Sequence, residues 1–226
     1  MDDLRMSQNT RAPQQTEAQK KFGVEYYHPG QQVISGSRDG DLYTYTTYIG
    51  TYLVNVEKGD CAYTYDGKGM AHVQPGPCKI QSTLITTVIR GYAPALRSTA
   101  VGRSTYLPYV NGCSTRQVFT PDRIGDPTLQ LLHMPPHSSE QVHHIHSTAR
   151  VVHVLEGRGR SLVGMEQWVE KQELVPGMSI ILHPMCPHHF ETDDNSLLVL
   201  PLHIFSSPPG GTEFDHPMFN GTHRIG

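Results

Sequence analysis

The sequence predicts an all-β protein. Short segments rich in β-branched and aromatic residues recur along the chain, and Gly and Pro separate them. The 226 residues include 21 Gly and 17 Pro, and charged residues make up 17%, below the roughly 25% that is typical of soluble domains. No long amphipathic helical pattern is present. Many short strands joined by Gly and Pro turns favour a closed or double-sheet β architecture.

Composition and charge argue against several classes of partner. The formal net charge is −3, which gives no electrostatic case for binding nucleic acid or an anionic membrane. No apolar run approaches the ~18 residues that a membrane span needs. The segment from Met1 to Arg5 is acidic and polar and lacks an apolar signal core, so a cytoplasmic location is expected. The four scattered cysteines are expected to be free thiols: Cys61, Cys78, Cys113 and Cys186.

Four segments are predicted along the chain. Residues 1–22 are polar and nearly free of aliphatic side chains, which is typical of a mobile tail. Residues 23–125 are predicted to form an N-terminal β extension, with a degenerate half-barrel left open as an alternative. Residues 126–205 carry short strands at regular spacing and are predicted to form the core domain. Residues 206–226 begin with a Ser-Ser-Pro-Pro-Gly-Gly break and are predicted to be a C-terminal tail.

Histidines concentrate in the core domain. Ten of the 14 lie between His133 and His203. Neutral histidine is a common ligand of transition metals. Val142 to His146 is predicted to be a strand, and side chains two residues apart on a strand point to one face. His144 and His146 could therefore hold one metal ion, with His188 as the best candidate for a third ligand. Packed or surface histidines remain the alternative.

Two motifs in this region resemble the cupin superfamily. The first runs through His144-Ile145-His146, a three-residue spacer, position 150 and Gly157. The second comprises Pro176-Gly177 and the segment from Pro184 to His188. The resemblance covers about residues 128 to 204. It implies a cupin-type double-stranded β-helix, which is a jelly-roll barrel, with additional N-terminal strands. Residues 126–205 would then be a cupin core with a metal site.

One position departs from the family pattern. Where many cupins carry a metal-binding glutamate, this sequence has Arg150, and a protonated guanidinium has no lone pair to offer a cation. The resemblance therefore implies a site of three histidines: His144, His146 and His188. If Arg150 points inward, its planar fork suits a substrate carboxylate. An exposed or salt-bridged arginine is the open alternative.

Three-histidine cupins include thiol dioxygenases and dioxygenases that cleave diketones or gentisate, so the resemblance implies a metal-dependent dioxygenase acting on a small polar molecule. Fe(II) is the favoured metal, with Zn, Mn, Ni or Cu as alternatives. The apolar wall of the barrel is predicted to include Val152, Val154, Leu182 and Leu198. Two other hypotheses stay open: a metal-dependent lyase, isomerase or hydrolase that uses the ion as a Lewis acid, and a cupin that binds a small ligand without turnover.

The partners expected from the sequence are few. They are a small-molecule substrate and, from the tendency of cupins to pair through sheet edges, a second copy of the chain in a homodimer. Neither nucleic acid nor a membrane is expected.

Overall fold

The computed structural model describes residues 15–30, 32–36, 44–122 and 126–204. The described residues form one short α-helix, two 3₁₀ turns and 18 strands, which confirms the all-β prediction. In chain order they are α1 (Glu17–Phe22), β1 (Val24–Tyr27), β2 (Gln32–Gly36), β3 (Tyr45–Ile49), β4 (Tyr52–Val56), β5 (Cys61–Tyr65), β6 (Met70–Pro75), β7 (Cys78–Ser82), β8 (Ile85–Ile89), β9 (Arg97–Ala100), β10 (Leu107–Pro108), the turn Val110–Gly112, β11 (Ser114–Phe119), β12 (Thr128–Met134), β13 (Arg150–Gly157), β14 (Gly159–Val163), the turn Glu166–Trp168, β15 (Glu170–Leu174), β16 (Ser179–Leu182), β17 (His188–Glu191) and β18 (Leu197–His203).

The strands form two pairs of antiparallel sheets. In the C-terminal pair, a seven-stranded sheet of order β1-β16-β13-β18-β12-β11-β10 accompanies a three-stranded sheet of order β15-β14-β17. In the N-terminal pair, a six-stranded sheet of order β2-β3-β8-β5-β6-β9 accompanies the two-stranded sheet of β4 and β7. Strands β1, β10 and β11 thus belong to the C-terminal sheet although they precede residue 126. The predicted division into segments at 125/126 itself stays a prediction.

One part of the predicted N-terminal tail is helical. Residues 17–22 form α1, because Thr16 caps its start: the Gln19 N–H donates to Thr16 Oγ1 at 3.1 Å, and the Gln19 side chain accepts from the Thr16 N–H at 3.2 Å. Ala18 is buried, and the left-handed Gly23 (φ 75°) ends the helix. Residues 1–14 of the predicted tail, and all of the tail at 206–226, lie outside the described residues.

The seven-stranded sheet is apolar on both faces. Because side chains alternate along a strand, Leu131 and Val151 point to one face, and Leu132 and Val152 to the other. The first face packs on the N-terminal strands in a shared core that includes Ile34. The second faces the three-stranded sheet and encloses the interior of the C-terminal barrel.

Three of the four residues predicted to form the barrel wall face the barrel interior. Val152, Val154 and Leu182 belong to the cluster inside the barrel. Leu198 belongs instead to the core shared with the N-terminal strands, and its neighbour Val199 points into the barrel. The run from Leu197 to Leu202 is apolar almost throughout, so hydrophobicity alone does not show which alternate residues face inward.

Leu131→Ala tests the shared core. Leu131 is fully buried between the two halves, so the cavity is expected to lower the free energy of unfolding by about 2–5 kcal/mol. Urea denaturation measures the change. The control is Leu53→Ala, which truncates a leucine that is 67% exposed and should change stability by less than about 0.5 kcal/mol. Equal losses in both variants would contradict the described packing.

Candidate metal and carboxylate site

The three predicted ligand histidines converge at one end of the C-terminal barrel. A nitrogen from each of His144, His146 and His188 lies within 4.8 Å of a nitrogen from each of the others. The Nε2 atoms of His144 and His146 are 2.8 Å apart. His146 and His188 are buried, and His144 is partly buried. The structure therefore brings together all three residues, while their role as ligands stays a prediction.

Local backbone structure differs from the prediction that led to these residues. The segment Val142–His146 is not a strand but part of the loop between β12 and β13, and His144 alone forms an isolated bridge. That bridge joins His144 to His188: the His144 N–H donates to His188 O at 3.1 Å, and the His188 N–H donates to His144 O at 2.9 Å. The two distant motifs are thus joined directly through their backbones.

Backbone carbonyls orient two of the rings. His144 Nδ1 lies 2.8 Å from Val142 O, and His188 Nδ1 lies 2.8 Å from Cys186 O. A carbonyl can only accept, so in each neutral ring Nδ1 carries the proton and Nε2 keeps its lone pair. A second hydrogen bond of this kind commonly fixes histidines that bind metals.

The three histidines are neutral near pH 7, which leaves their nitrogens able to bind a metal ion. Burial lowers the pKa of His144 to about 4 and holds the pKa values of His146 and His188 well below the usual range, with the Arg150 charge acting in the same direction. The rings are therefore neutral near pH 7, as metal ligation requires. Two nitrogens that bind one ion at about 2.1 Å and at right angles lie about 3 Å apart, close to the spacing of His144 and His146.

Arg150 lies in the cavity next to this cluster. It is 3% exposed and lines the cavity together with His146 and His188. None of its three guanidinium nitrogens has a hydrogen-bond partner among the described residues. Burial lowers the pKa of Arg150 only to about 10, so the group stays charged at neutral pH. The structure thus places Arg150 inward, with hydrogen-bonding capacity that no described residue uses.

Two further polar residues line the cavity and were missed in the sequence. Glu140 is buried, and its Oε1 lies 3.9 Å from His144 Nε2. Burial raises the Glu140 pKa to about 7, against the opposing effect of Arg150. His203 is also buried. For Glu140 the available signal was its position four residues before His144, and for His203 it was the alternation of β18.

Several other histidines of the C-terminal half lie outside the cavity. His143 Nδ1 is 2.8 Å from His189 Nδ1, on the side away from the cavity. His153 is buried on the outer face of β13, with Nδ1 2.8 Å from Ser179 Oγ, and His183 Nε2 is 2.6 Å from Glu25 Oε1. Cys186 is buried and is not part of a disulfide. The structure brings none of these residues into the three-histidine group.

Comparisons with known proteins agree with the architecture. Residues 130–205 match the family model described as a cupin domain. Two solved structures resemble most of the chain: protein Ylba from E. coli, with 13% identity, a TM-score of 0.53 and coverage of 80% of this chain and 82% of its own, and a Pseudomonas aeruginosa protein described as "Putative Glyoxylate Induced Protein", with 14% identity, a TM-score of 0.52 and coverage of 85% and 84%.

These likenesses concern the fold. At such identities they carry no activity over to this chain, but their coverage extends beyond residues 130–205 into the N-terminal strands. No match to this sequence was found among the curated proteins. Among the described residues, no helix is long and apolar enough to cross a membrane.

His146→Ala tests the ligand assignment. Removing one of three ligands should lower the bound metal from about one ion per chain to a small fraction, since three protein ligands are already the usual minimum of an open site. Elemental analysis after purification and after reloading with Fe(II) measures occupancy. The matched control is His72→Ala, at a histidine of the N-terminal half that hydrogen-bonds Ser98. Full metal occupancy in His146→Ala would contradict the assignment.

Proposed function

We propose that the domain formed by residues 130–205, which match the cupin domain model, is a metal-dependent dioxygenase for a small carboxylate. In this proposal His144, His146 and His188 hold a divalent ion, with Fe(II) favoured over Zn, Mn, Ni and Cu. Arg150 binds the carboxylate of the substrate.

The observation that carries the proposal is the position of the three-histidine cluster beside a buried arginine in one cavity. Three neutral imidazoles converge beside a guanidinium that has no hydrogen-bond partner among the described residues and whose electrostatic neighbour in the cavity is Glu140. A buried charge without a hydrogen-bond partner is costly, and three neutral ligands leave a divalent ion with its full charge. An anionic substrate that reaches both groups would compensate both charges at once.

Fe(II), when bound, would supply the capacity to bind dioxygen beside a coordinated substrate. The residues of the chain would do the rest. Arg150 would fix the orientation of the substrate by donating two N–H groups to its carboxylate. Val152, Leu182 and Phe190 line the cavity and would keep it dry. Glu140, whose pKa lies near neutrality, could hold a proton released when the substrate binds.

Glu140 also favours a second candidate function. A carboxyl group with a pKa of about 7 beside a Lewis-acidic ion suits proton transfer in a lyase or isomerase that uses no oxygen. In that case Glu140 would exchange a proton with the substrate, and Arg150 would keep the same task.

Oxygen dependence separates the two candidates. Protein loaded with Fe(II) is incubated with a panel of small carboxylates, and oxygen uptake is recorded beside product formation by mass spectrometry. We expect uptake in proportion to product, and no product under anaerobic conditions. Turnover that continues without oxygen would reject the dioxygenase and favour the lyase or isomerase. Stoichiometric binding with no product under either condition would favour a non-catalytic ligand-binding cupin.

Arg150→Gln tests the carboxylate anchor. The change keeps a polar side chain but removes the charge, so KM for a carboxylate substrate found in the panel should rise about 10- to 100-fold, as expected for the loss of a charge-assisted hydrogen bond. Metal content should be unchanged, because arginine cannot ligate. An unchanged KM, with metal still bound, would show that Arg150 does not contact the substrate.

A further inference from the structure

On the barrel-facing side of β12 and β18, three side chains have polar atoms that no described residue satisfies. They are Thr128, Gln130 and His203, which we call the polar floor. Each is at most 2% exposed. The Thr128 hydroxyl, Gln130 Nε2 and both ring nitrogens of His203 have no hydrogen-bond partner among the described residues. Buried polar atoms are nearly always paired in folded proteins, so this group needs an explanation.

Strand register places the polar floor beside Arg150. His203 on β18 is paired with Arg150 on β13 and, on its other side, with Thr128 on β12. Residues paired across antiparallel strands have their Cβ atoms about 4.5–5.5 Å apart on one face. Thr128, His203 and Arg150 therefore form a row across the sheet, with His203 in the middle.

The row faces the barrel interior. Thr128 and Gln130 share the face of Leu132, because side chains alternate along β12, and Leu132 lines the cavity together with Arg150 and His203. The same alternation sends Leu129 and Leu131 to the core shared with the N-terminal strands. Thr128 and Gln130 thus lie on the sheet face that bounds the cavity, whose polar lining also includes Glu140, His146 and His188.

The available hydrogen bonds define the chemistry of the ligand. Arg150 and the Gln130 amide nitrogen can only donate, His203 donates through one ring nitrogen, and the Thr128 hydroxyl can do so as well. A carboxylate presents about four lone-pair positions and no donor. The guanidinium fork fills two of them and leaves two for the polar floor. A neutral amide fits poorly, since its NH₂ group would meet donors.

We propose that the polar floor and Arg150 together form a closed pocket for one carboxylate group. This inference deepens the proposed function, from which it takes Arg150 as anchor, and it adds specificity-determining residues from β12 and β18. It also orients the ligand: the acid end lies against the strands, and the remainder extends toward His146 and His188, which line the same cavity. The substrate class is a short-chain carboxylic acid with an oxygen or sulfur donor at the far end.

Propionate, a carboxylate without a second donor group, tests the pocket in the full-length protein before and after metal removal by chelation. Titration calorimetry measures its affinity, and propionamide serves as the neutral analogue. We expect propionate to bind the metal-free protein at least about tenfold more tightly than propionamide, as charge-assisted hydrogen bonds to both carboxylate oxygens would provide. Equal binding of the two probes, or no binding of propionate, would overturn the proposal.

His203→Phe and Gln130→Leu identify the floor residues. Each should weaken propionate binding about tenfold, the usual effect of one lost hydrogen bond to a charged group. The matched control is His153→Phe, since His153 is equally buried on β13 but points to the opposite face. It should bind propionate like the unaltered protein. Unchanged affinity in both floor variants would overturn the assignment.

Thermal unfolding without propionate separates a ligand pocket from a structural role. If the polar atoms bind a ligand, they are unpaired in the ligand-free protein. Replacing them with apolar groups then removes a desolvation penalty, so the melting temperature should be unchanged or higher than that of the unaltered protein. If it falls in both floor variants while propionate affinity is unchanged, their role is structural and the proposal fails.

Metal analysis of the same variants keeps this inference apart from the proposed function. Loss of propionate binding with full metal occupancy would concern the pocket alone. A chain that binds propionate but no metal would contradict the proposed dioxygenase and leave the carboxylate pocket standing.

Discussion

The buried charge of Arg150 is the constraint on which the rest of the site depends. A guanidinium that is 3% exposed and has no hydrogen-bond partner in the described part of the chain favours the neutral forms of the histidines near it. It helps to lower the pKa of His146, His188 and His203, which keeps these rings uncharged. The same charge favours the ionised form of Glu140. A cavity organised in this way is prepared for an anion, and its histidines are kept in the form that binds a metal.

The fold provides this environment by covering the seven-stranded sheet on both faces. Packing against the N-terminal strands buries one face in a shared core, and the three-stranded sheet closes over the other. Arg150 therefore has no route to solvent, whereas an arginine on a half-exposed sheet would reach water with its long side chain. None of the described N-terminal strands contributes a residue to the cavity, but these strands cover the outer face of its sheet.

Much of the site could be predicted from the sequence, and what could not has a physical reason. The convergence of His144, His146 and His188 follows from the spacing within two motifs, whereas the motif left open whether Arg150 points inward or is exposed or salt-bridged. The strand predicted at Val142–His146 is a loop, since within it only His144 forms a β-bridge, to His188, and the pairing does not extend to its neighbours. His203 and Gln130 depend on pairing between strands more than 50 residues apart along the chain. Leu198 was assigned to the wrong face because β18 is apolar on both faces.

X-ray absorption at the iron edge of Fe(II)-loaded protein tests most directly whether the cavity is a metal centre of three histidines beside an anion pocket. We expect the scattering signature of three imidazole rings, with no sulfur ligand, and a change in the remaining oxygen ligands when a carboxylate substrate is added. A spectrum with fewer than two imidazoles, or with sulfur from Cys186, would contradict it.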